Sequence, residues 1–303
     1  MTLHPDAAAF LKSAADIPQP PDVTVEEFRA AAARLVTQSA PLPIGKVEEK
    51  VIAGGDGQPM KIRIYTPEGP GPFPTAVWTR GGSFTRTTLD QLDPLRRATA
   101  KATGCIVVAV DQRLSPEAQY PGPVKDGEAA LNWTFDHAGE INARPDFIGI
   151  AGESSGGNLA ASIAVRANRR GSPRLAFQLL FAPLTDATLS SPSIGELEDG
   201  YVLTKRQLVW AYDQYAPGVD RKDPGISPLL ADTMKGMPPA VVVTIEYDPV
   251  RDEGERYVER LREAGVTVKH ARLPGVVHHF SGPDGIPTFL GLINQLFAEI
   301  GAK

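Results

Sequence analysis

The chain has 303 residues, 42% apolar and 22% charged, with a net charge of −5. This is ordinary globular sequence, sufficient for one sizeable core carrying an insertion, and it excludes a disordered chain or one that depends on disulfide staples. Acidic and basic residues are interspersed, so no basic face is offered to a polyanion and nucleic acid is not an expected partner.

The first residues lack a basic start followed by a long apolar segment, and no window approaches the roughly 18 consecutive apolar residues of a spanning helix. A soluble, cytoplasmic protein is expected, with no membrane span. Cys105 is the only cysteine and sits in the apolar run Cys105-Ile106-Val107-Val108-Ala109-Val110. It reads as a packed, inert thiol, consistent with a reducing compartment.

In chain order, the first forty-odd residues look helical and separate from the core. Thr24-Val25-Glu26-Glu27 is a capping-box pattern, and Phe28, Ala31, Ala32 and Leu35 follow on one helical face. Segments 46–53 and 59–66, joined by Gly54-Gly55-Asp56-Gly57, read as a hairpin, because Met60, Ile62 and Ile64 alternate with polar neighbours. Short apolar runs follow at 75–79, 105–111, 147–151, 175–181, 240–245 and 266–271, with helical stretches between them. Runs apolar on both faces predict parallel strands covered on both sides, about eight strands in all with the hairpin. Roughly sixty residues separate 175–181 from 240–245, more than one crossover needs, and 204–215 is the expected helix of an insertion over the site.

Gly152-Glu153-Ser154-Ser155-Gly156 matches the G-x-S-x-G nucleophile elbow, in which a serine occupies a tight strand-to-helix turn. The apolar segment Phe147 to Ala151 precedes it and a helical segment from Gly157 follows, so the helix start would aim free N–H groups at whatever reacts with Ser154. A hydroxyl needs a base, and the base an orienting acid, in the chain order serine, acid, histidine. His270 lies in an alternating strand segment. His278 and His279 follow Leu273-Pro274-Gly275-Val276-Val277, read as a loop after the last strand, and either suits the base. For the acid, Asp248, Asp252 and Glu246 all lie near the end of the preceding strand; Asp252 reads as a first-turn helix acid and Asp248 as a loop residue ahead of Pro249.

These segments together resemble the hormone-sensitive lipase family of α/β-hydrolases, bacterial esterases with a small helical cap. The likeness runs from about residue 40 to the C-terminus through GESSGGNLAA, GYVLTKRQLVWAYDQY, SPLLA, MPPAVVVTIEYDPVRDEG and LPGVVHHFSG. It implies a catalytic triad of Ser154, Asp248 and His278, with His279 where the family usually has glycine. The family's His-Gly-Gly-Gly loop is altered here to Arg80-Gly81-Gly82-Ser83. An oxyanion hole from the main-chain N–H groups of Gly82, Ser83 and Ser155 is still expected, since Ser83 needs only to accept the backbone torsions. Strain at Ser83 predicts that Ser83→Gly raises kcat on short-chain esters several-fold with a smaller change in KM; the competing idea is that the Ser83 hydroxyl contacts the substrate or the loop, in which case glycine lowers kcat. Arg80 reads first as a surface arginine and Glu153 as a turn acid, with an Arg80–Glu153 pair bracing the two loops as the less favoured alternative.

The resemblance implies an α/β-hydrolase fold with residues 1–45 and 187–218 forming the cap, and 46–186 and 219–303 forming the catalytic core. It implies hydrolysis of short-chain carboxylic esters through an acyl-serine intermediate, with a small-molecule ester as partner and no metal or organic cofactor. Phe84, Tyr201, Leu203 and Trp210 are candidates for the substrate pocket, although such aromatics are more often simply core; the oligomeric state is left open, a homodimer being one alternative. A dehydratase or a non-catalytic small-molecule receptor on the same fold are the alternatives.

Overall fold

The computed structural model describes residues 2–15, 18–34, 41–279 and 282–301. In chain order these form α1 (Pro5–Ala14), α2 (Val25–Arg34), β1 (Lys46–Ala53), β2 (Pro59–Thr66), β3 (Phe73–Thr79), α3 (Leu89–Thr103), β4 (Ile106–Val110), α4 (Gly122–Asp136), β5 (Ala143–Glu153) and α5 (Ser155–Arg170). There follow β6 (Gln178–Phe181), α6 (Pro192–Glu196), α7 (Lys205–Tyr215), β7 (Ala240–Tyr247), α8 (Arg251–Glu263), β8 (Val268–Val277) and α9 (Gly282–Glu299).

The eight strands make one sheet in the order β1-β2-β4-β3-β5-β6-β7-β8. The hairpin pairs antiparallel with itself and with β4, and every other pairing is parallel. Successive side chains serve opposite faces, which is why the central strands are apolar throughout. Val77, Val108, Ile150 and Val242 pack on one side with Leu159, Ile163, Tyr257 and Leu261 of α5 and α8. Trp78, Val107, Ala151 and Val243 pack on the other with Phe289, Ile293 and Phe297 of α9.

Because β4 lies on one side of β3 and β5 on the other, the chain reverses its winding between β3 and β5. The carboxyl ends of those two strands therefore open onto a crevice, the usual position of a site in such sheets. The loop 80–88 leaves β3 there, and Ser154 leaves β5 there.

The last strand does not end near 271 but continues through Pro274 and Gly275 to Val277. The proline is tolerated because β8 is an edge strand. The pairing with β7 shifts register between Ile245 and Tyr247, and Glu246 Oε2 accepts the Gly275 N–H at 2.6 Å. Nor do the N-terminal helices stand apart. The His4 amide donates to the Gly275 carbonyl at 2.7 Å, the capping box of Thr24 and Glu27 forms, and Arg29 of α2 donates to the carbonyls of Thr85 and Ser115 and pairs with Glu117. Phe28 is buried and meets Trp210 edge-on, whereas Leu35 lies outside the described residues. Among the described residues no helix is long and apolar enough to cross a membrane.

Candidate active site

Ser154 occupies the turn between β5 and α5 with φ 54° and ψ −124°, a left-handed backbone that only an over-determined turn holds in a non-glycine residue. Its neighbours make that turn sterically feasible. A side chain at Gly152 would collide with the Gly156 backbone, and one at Gly156 with the Thr79 carbonyl of β3. The Ser154 amide donates to Phe181 O at 2.9 Å, and Thr79 Oγ1 lies 2.7 Å from Gly156 O, so both neighbouring strands fix the serine.

Ser154 Oγ lies 2.8 Å from His278 Nε2, and His278 Nδ1 lies 2.6 Å from Asp248 Oδ2. The continuous arrangement is an Nδ1–H donated to the carboxylate and an Nε2 lone pair accepting the serine proton. Asp248 is fully buried on the turn after β7, and its Oδ1 also accepts the Val250 N–H at 3.0 Å. His278 directly follows β8 and is buried, so a packed environment holds both partners in place.

The rival residues lie elsewhere. His270 Nε2 meets Thr244 Oγ1 across β7 and β8 at 3.0 Å. His279 is exposed, with its ring edge-on to His278 at 5.1 Å. Asp252 stands in the first turn of α8, where it accepts the Ser193 N–H and pairs with Arg251. Glu246 accepts the Gly275 N–H and thereby steadies the strand that delivers His278.

Loop 80–88 carries four residues with positive φ in its middle: Gly82 (111°), Ser83 (54°), Phe84 (61°) and Thr87 (80°). Gly82 is required because a side chain there would strike the Arg86 carbonyl, which the loop folds back onto it. Among the described residues the amides of Gly82, Ser83 and Ser155 make no hydrogen bond with the protein, whereas those of Thr85 and Arg86 both donate to Gly82 O. Ser155 Oγ accepts the Phe84 N–H at 3.1 Å and links the loop to the start of α5.

Arg80 is not a surface arginine, and the alternative Arg80–Glu153 pair does not form either. Arg80 is buried and reaches towards β4, bonding Asp111 at 2.7 Å, Gln112 O at 2.6 Å and the Thr87 carbonyl, while the Gln112 carboxamide bonds both the amide and the carbonyl of Arg80. Burial lowers its pKa, and the Asp111 charge opposes that shift. Glu153 instead pairs with the buried Arg96 of α3 at 2.9 Å and accepts from Trp78 Nε1 and the Gly81 amide. Asp111 and Arg96 were nearer these side chains than sequence spacing could indicate.

Of the candidate pocket residues, Phe84 and Leu203 are buried core, Tyr201 stacks on Tyr247 beside Asp248, and Trp210 packs on Phe28. Sequence reasoning overlooked Gln207, whose Nε2 donates to Ser83 Oγ at 3.3 Å, and Glu253, fully buried behind Asp248. A signal for Gln207 was present in the Thr204-Lys205-Arg206-Gln207 pattern at the start of α7.

A family model described as the alpha/beta hydrolase fold matches residues 76–282. The chain is 39% identical over 263 residues to the carboxylesterase NlhH of Mycobacterium tuberculosis, a match covering 84% of this chain and 82% of that one. It is 32% identical over 299 residues to an ethyl acetate hydrolase of Pseudomonas putida, covering 92% of each. Among solved structures, the hyperthermophilic esterase of the archaeon Pyrobaculum calidifontis superposes with a TM-score of 0.90 at 34% identity, covering 98% of this chain and 99% of the other. The chain belongs to the α/β-hydrolase family, in the branch of hormone-sensitive-lipase-like esterases.

Proposed function

We propose that the protein is a serine carboxylesterase acting on short-chain carboxylic esters, with Ser154 as nucleophile, His278 as general base and acid, and Asp248 orienting the base. The observation that carries this reading is the unbroken chain from Ser154 Oγ through His278 to Asp248, set at the turn after β5. The carboxylesterase and ethyl acetate hydrolase among its relatives support the reaction class and the small substrate.

In the first half-reaction Ser154 Oγ attacks the ester carbonyl as its proton passes to His278 Nε2. The resulting oxyanion lies against the N–H groups of Gly82, Ser83 and Ser155, which need no reorganisation to receive it. Collapse expels the alcohol, which takes the proton from His278. Water then gives a proton to His278 and attacks the acyl-serine, and the acid leaves as Ser154 regains its proton. Asp248 stays ionised and stabilises the imidazolium in both halves.

The N-terminal helices together with 187–218 act as a cap over this crevice; the Phe28–Trp210 contact and the Arg206–Asp22 ion pair, which join α7 to the N-terminal region, support that division. We read the protein as cytoplasmic, which fractionation tests, and analytical ultracentrifugation distinguishes a monomer from a homodimer. The activity test is incubation with an activated acetyl ester and with a fluorophosphonate. A carboxylesterase turns over the first and is labelled by the second, both through Ser154; labelling without useful turnover would favour a dehydratase, and neither would favour a receptor.

A further inference from the structure

Three helices among the described residues open with threonine followed three positions later by glutamate or glutamine, the pattern of a reciprocal cap. At α2 the reciprocal bond forms, with the Thr24 amide donating to Glu27 Oε2 at 2.8 Å. At α3 it forms again, from the Thr88 amide to Gln91 Oε1 at 2.8 Å. At α7 only half is made: Thr204 Oγ1 accepts the Gln207 amide at 3.1 Å, but the Gln207 side chain turns away from the cap. It is fully buried, its Nε2 donates to Ser83 Oγ, and its Oε1 has no partner among the described residues.

Leaving a cap bond unmade and a buried acceptor without a donor is unfavourable for the helix on its own account, and such local conflicts concentrate where function requires them. The atom that Gln207 holds belongs to the one residue of the loop that departs from the family's glycines. Ser83 and Phe84 are consecutive left-handed residues, and Phe84 stacks on Tyr215 of the same helix at 4.0 Å, almost parallel. One face of α7 is thus laid along the strained pair. Glycine at 83 would adopt this backbone unaided, but a serine needs a restraint.

We propose that Gln207 is a positioning residue for the oxyanion hole: through the Ser83 hydroxyl it holds the loop in the conformation that presents the Gly82 and Ser83 amides. The proposal rests on the esterase reading above, in which those amides face the oxyanion. It makes the Gln207–Ser83 pair a substitute for the conformational freedom of the missing glycine and couples α7 to the chemistry.

The experiment is a set of variants assayed on an activated acetyl ester, with melting temperatures measured alongside. Gln207→Met fills the same space without the amide and is expected to lower kcat by about 3- to 10-fold, less than the loss of a whole oxyanion donor, with KM within about twofold. The melting temperature checks that the variant is folded in the assay, since the substitution removes the unsatisfied Oε1 but also leaves the buried Ser83 hydroxyl without its donor. Ser83→Ala keeps the torsional demand but loses the oxygen, so it should fall by the same factor, and the double variant Ser83→Ala/Gln207→Met should fall no further. In the Ser83→Gly background, Gln207→Met should change kcat by less than about twofold. Wild-type kcat in Gln207→Met, multiplied losses in the alanine double variant, or an undiminished loss in the glycine background would each overturn the proposal. The esterase reading fails by a different result, persistence of turnover in Ser154→Ala.

Discussion

Glu153 Oε1 accepts the Gly81 amide at 2.8 Å, so the residue immediately before Ser154 grips the loop that carries Gly82 and Ser83. The same carboxylate pairs with Arg96, which is buried against the face of Trp78 with its guanidinium 4.3 Å from the ring centroid. The turn of Ser154 and the loop of Gly82 and Ser83, which in the proposed mechanism meet one carbonyl, are therefore joined through a single side chain.

Glu153→Ala is expected to reduce stability by about 3 kcal/mol, because Arg96 is left charged and unpaired in the interior. Combining it with Arg96→Met should recover much of the stability, as removing both charges leaves no uncompensated ion. Turnover should remain depressed in the double variant, since Gly81 still lacks its acceptor. Urea unfolding and kcat on an activated acetyl ester check both halves, and full recovery of kcat in the double variant would show that the Gly81 contact does not matter.

Asp248→Asn is expected to lower kcat by about 10³- to 10⁴-fold while leaving the protein folded, because the amide stabilises the wrong tautomer of His278 and cannot balance the imidazolium. Asp252→Asn should affect melting temperature more than kcat, as Asp252 holds the Ser193 amide and Arg251 instead of the base. Steady-state kinetics of the two variants decide between the carboxylates, and equal losses would contradict the geometry.

His278→Ala should abolish turnover, and His279→Ala should preserve most of it, since the His279 ring is exposed and touches the pair only edge-on. Labelling by a fluorophosphonate gives a second readout, as it too requires Ser154 to be activated. Loss of labelling in His279→Ala would reassign the base.

The parts of this molecule legible in its sequence are those whose physics is local. Strands buried on both faces read as apolar runs, and the glycines around Ser154 declare a turn that no larger residue fits. The N-terminus of α2 announced itself through Thr24 and Glu27 because a capping box is complete within four residues. What sequence did not reveal depends on residues brought together across the sheet. Arg80 faces Asp111 because β3 and β4 are neighbours, and Glu153 faces Arg96 because α3 packs beside Trp78. The continuation of β8 was hidden by Pro274 and Gly275, which punctuate a chain locally but are absorbed here by an edge strand and the side chain of Glu246. Gln207 was missed for the opposite reason: its local pattern has an ordinary meaning, and only the tertiary contact with Ser83 shows that the pattern is broken.

Glu253 is fully buried at the start of α8. Its Oε1 accepts the amides of Thr185 at 2.6 Å and Asp186 at 3.2 Å, and its Oε2 has no partner among the described residues. Burial pushes the carboxyl well above its ordinary value of 4.5; the negative charges of Asp186 and Asp248 push the same way, and the two backbone amides oppose them. The folded chain therefore holds this proton more tightly than the unfolded chain does. Its contribution to stability is fullest below pH 4.5 and is lost as the pH rises above that value towards the folded pKa, at a slope of up to about 1.4 kcal/mol per pH unit. Glu253→Gln keeps an oxygen for the two amides and does not titrate, so its unfolding free energy should decline less steeply from pH 5 to 8 than that of the wild type. Subtracting the two profiles isolates this group from every other carboxylate. Parallel profiles would mean that Glu253 is ionised in the folded protein, with a counter-charge or water satisfying Oε2.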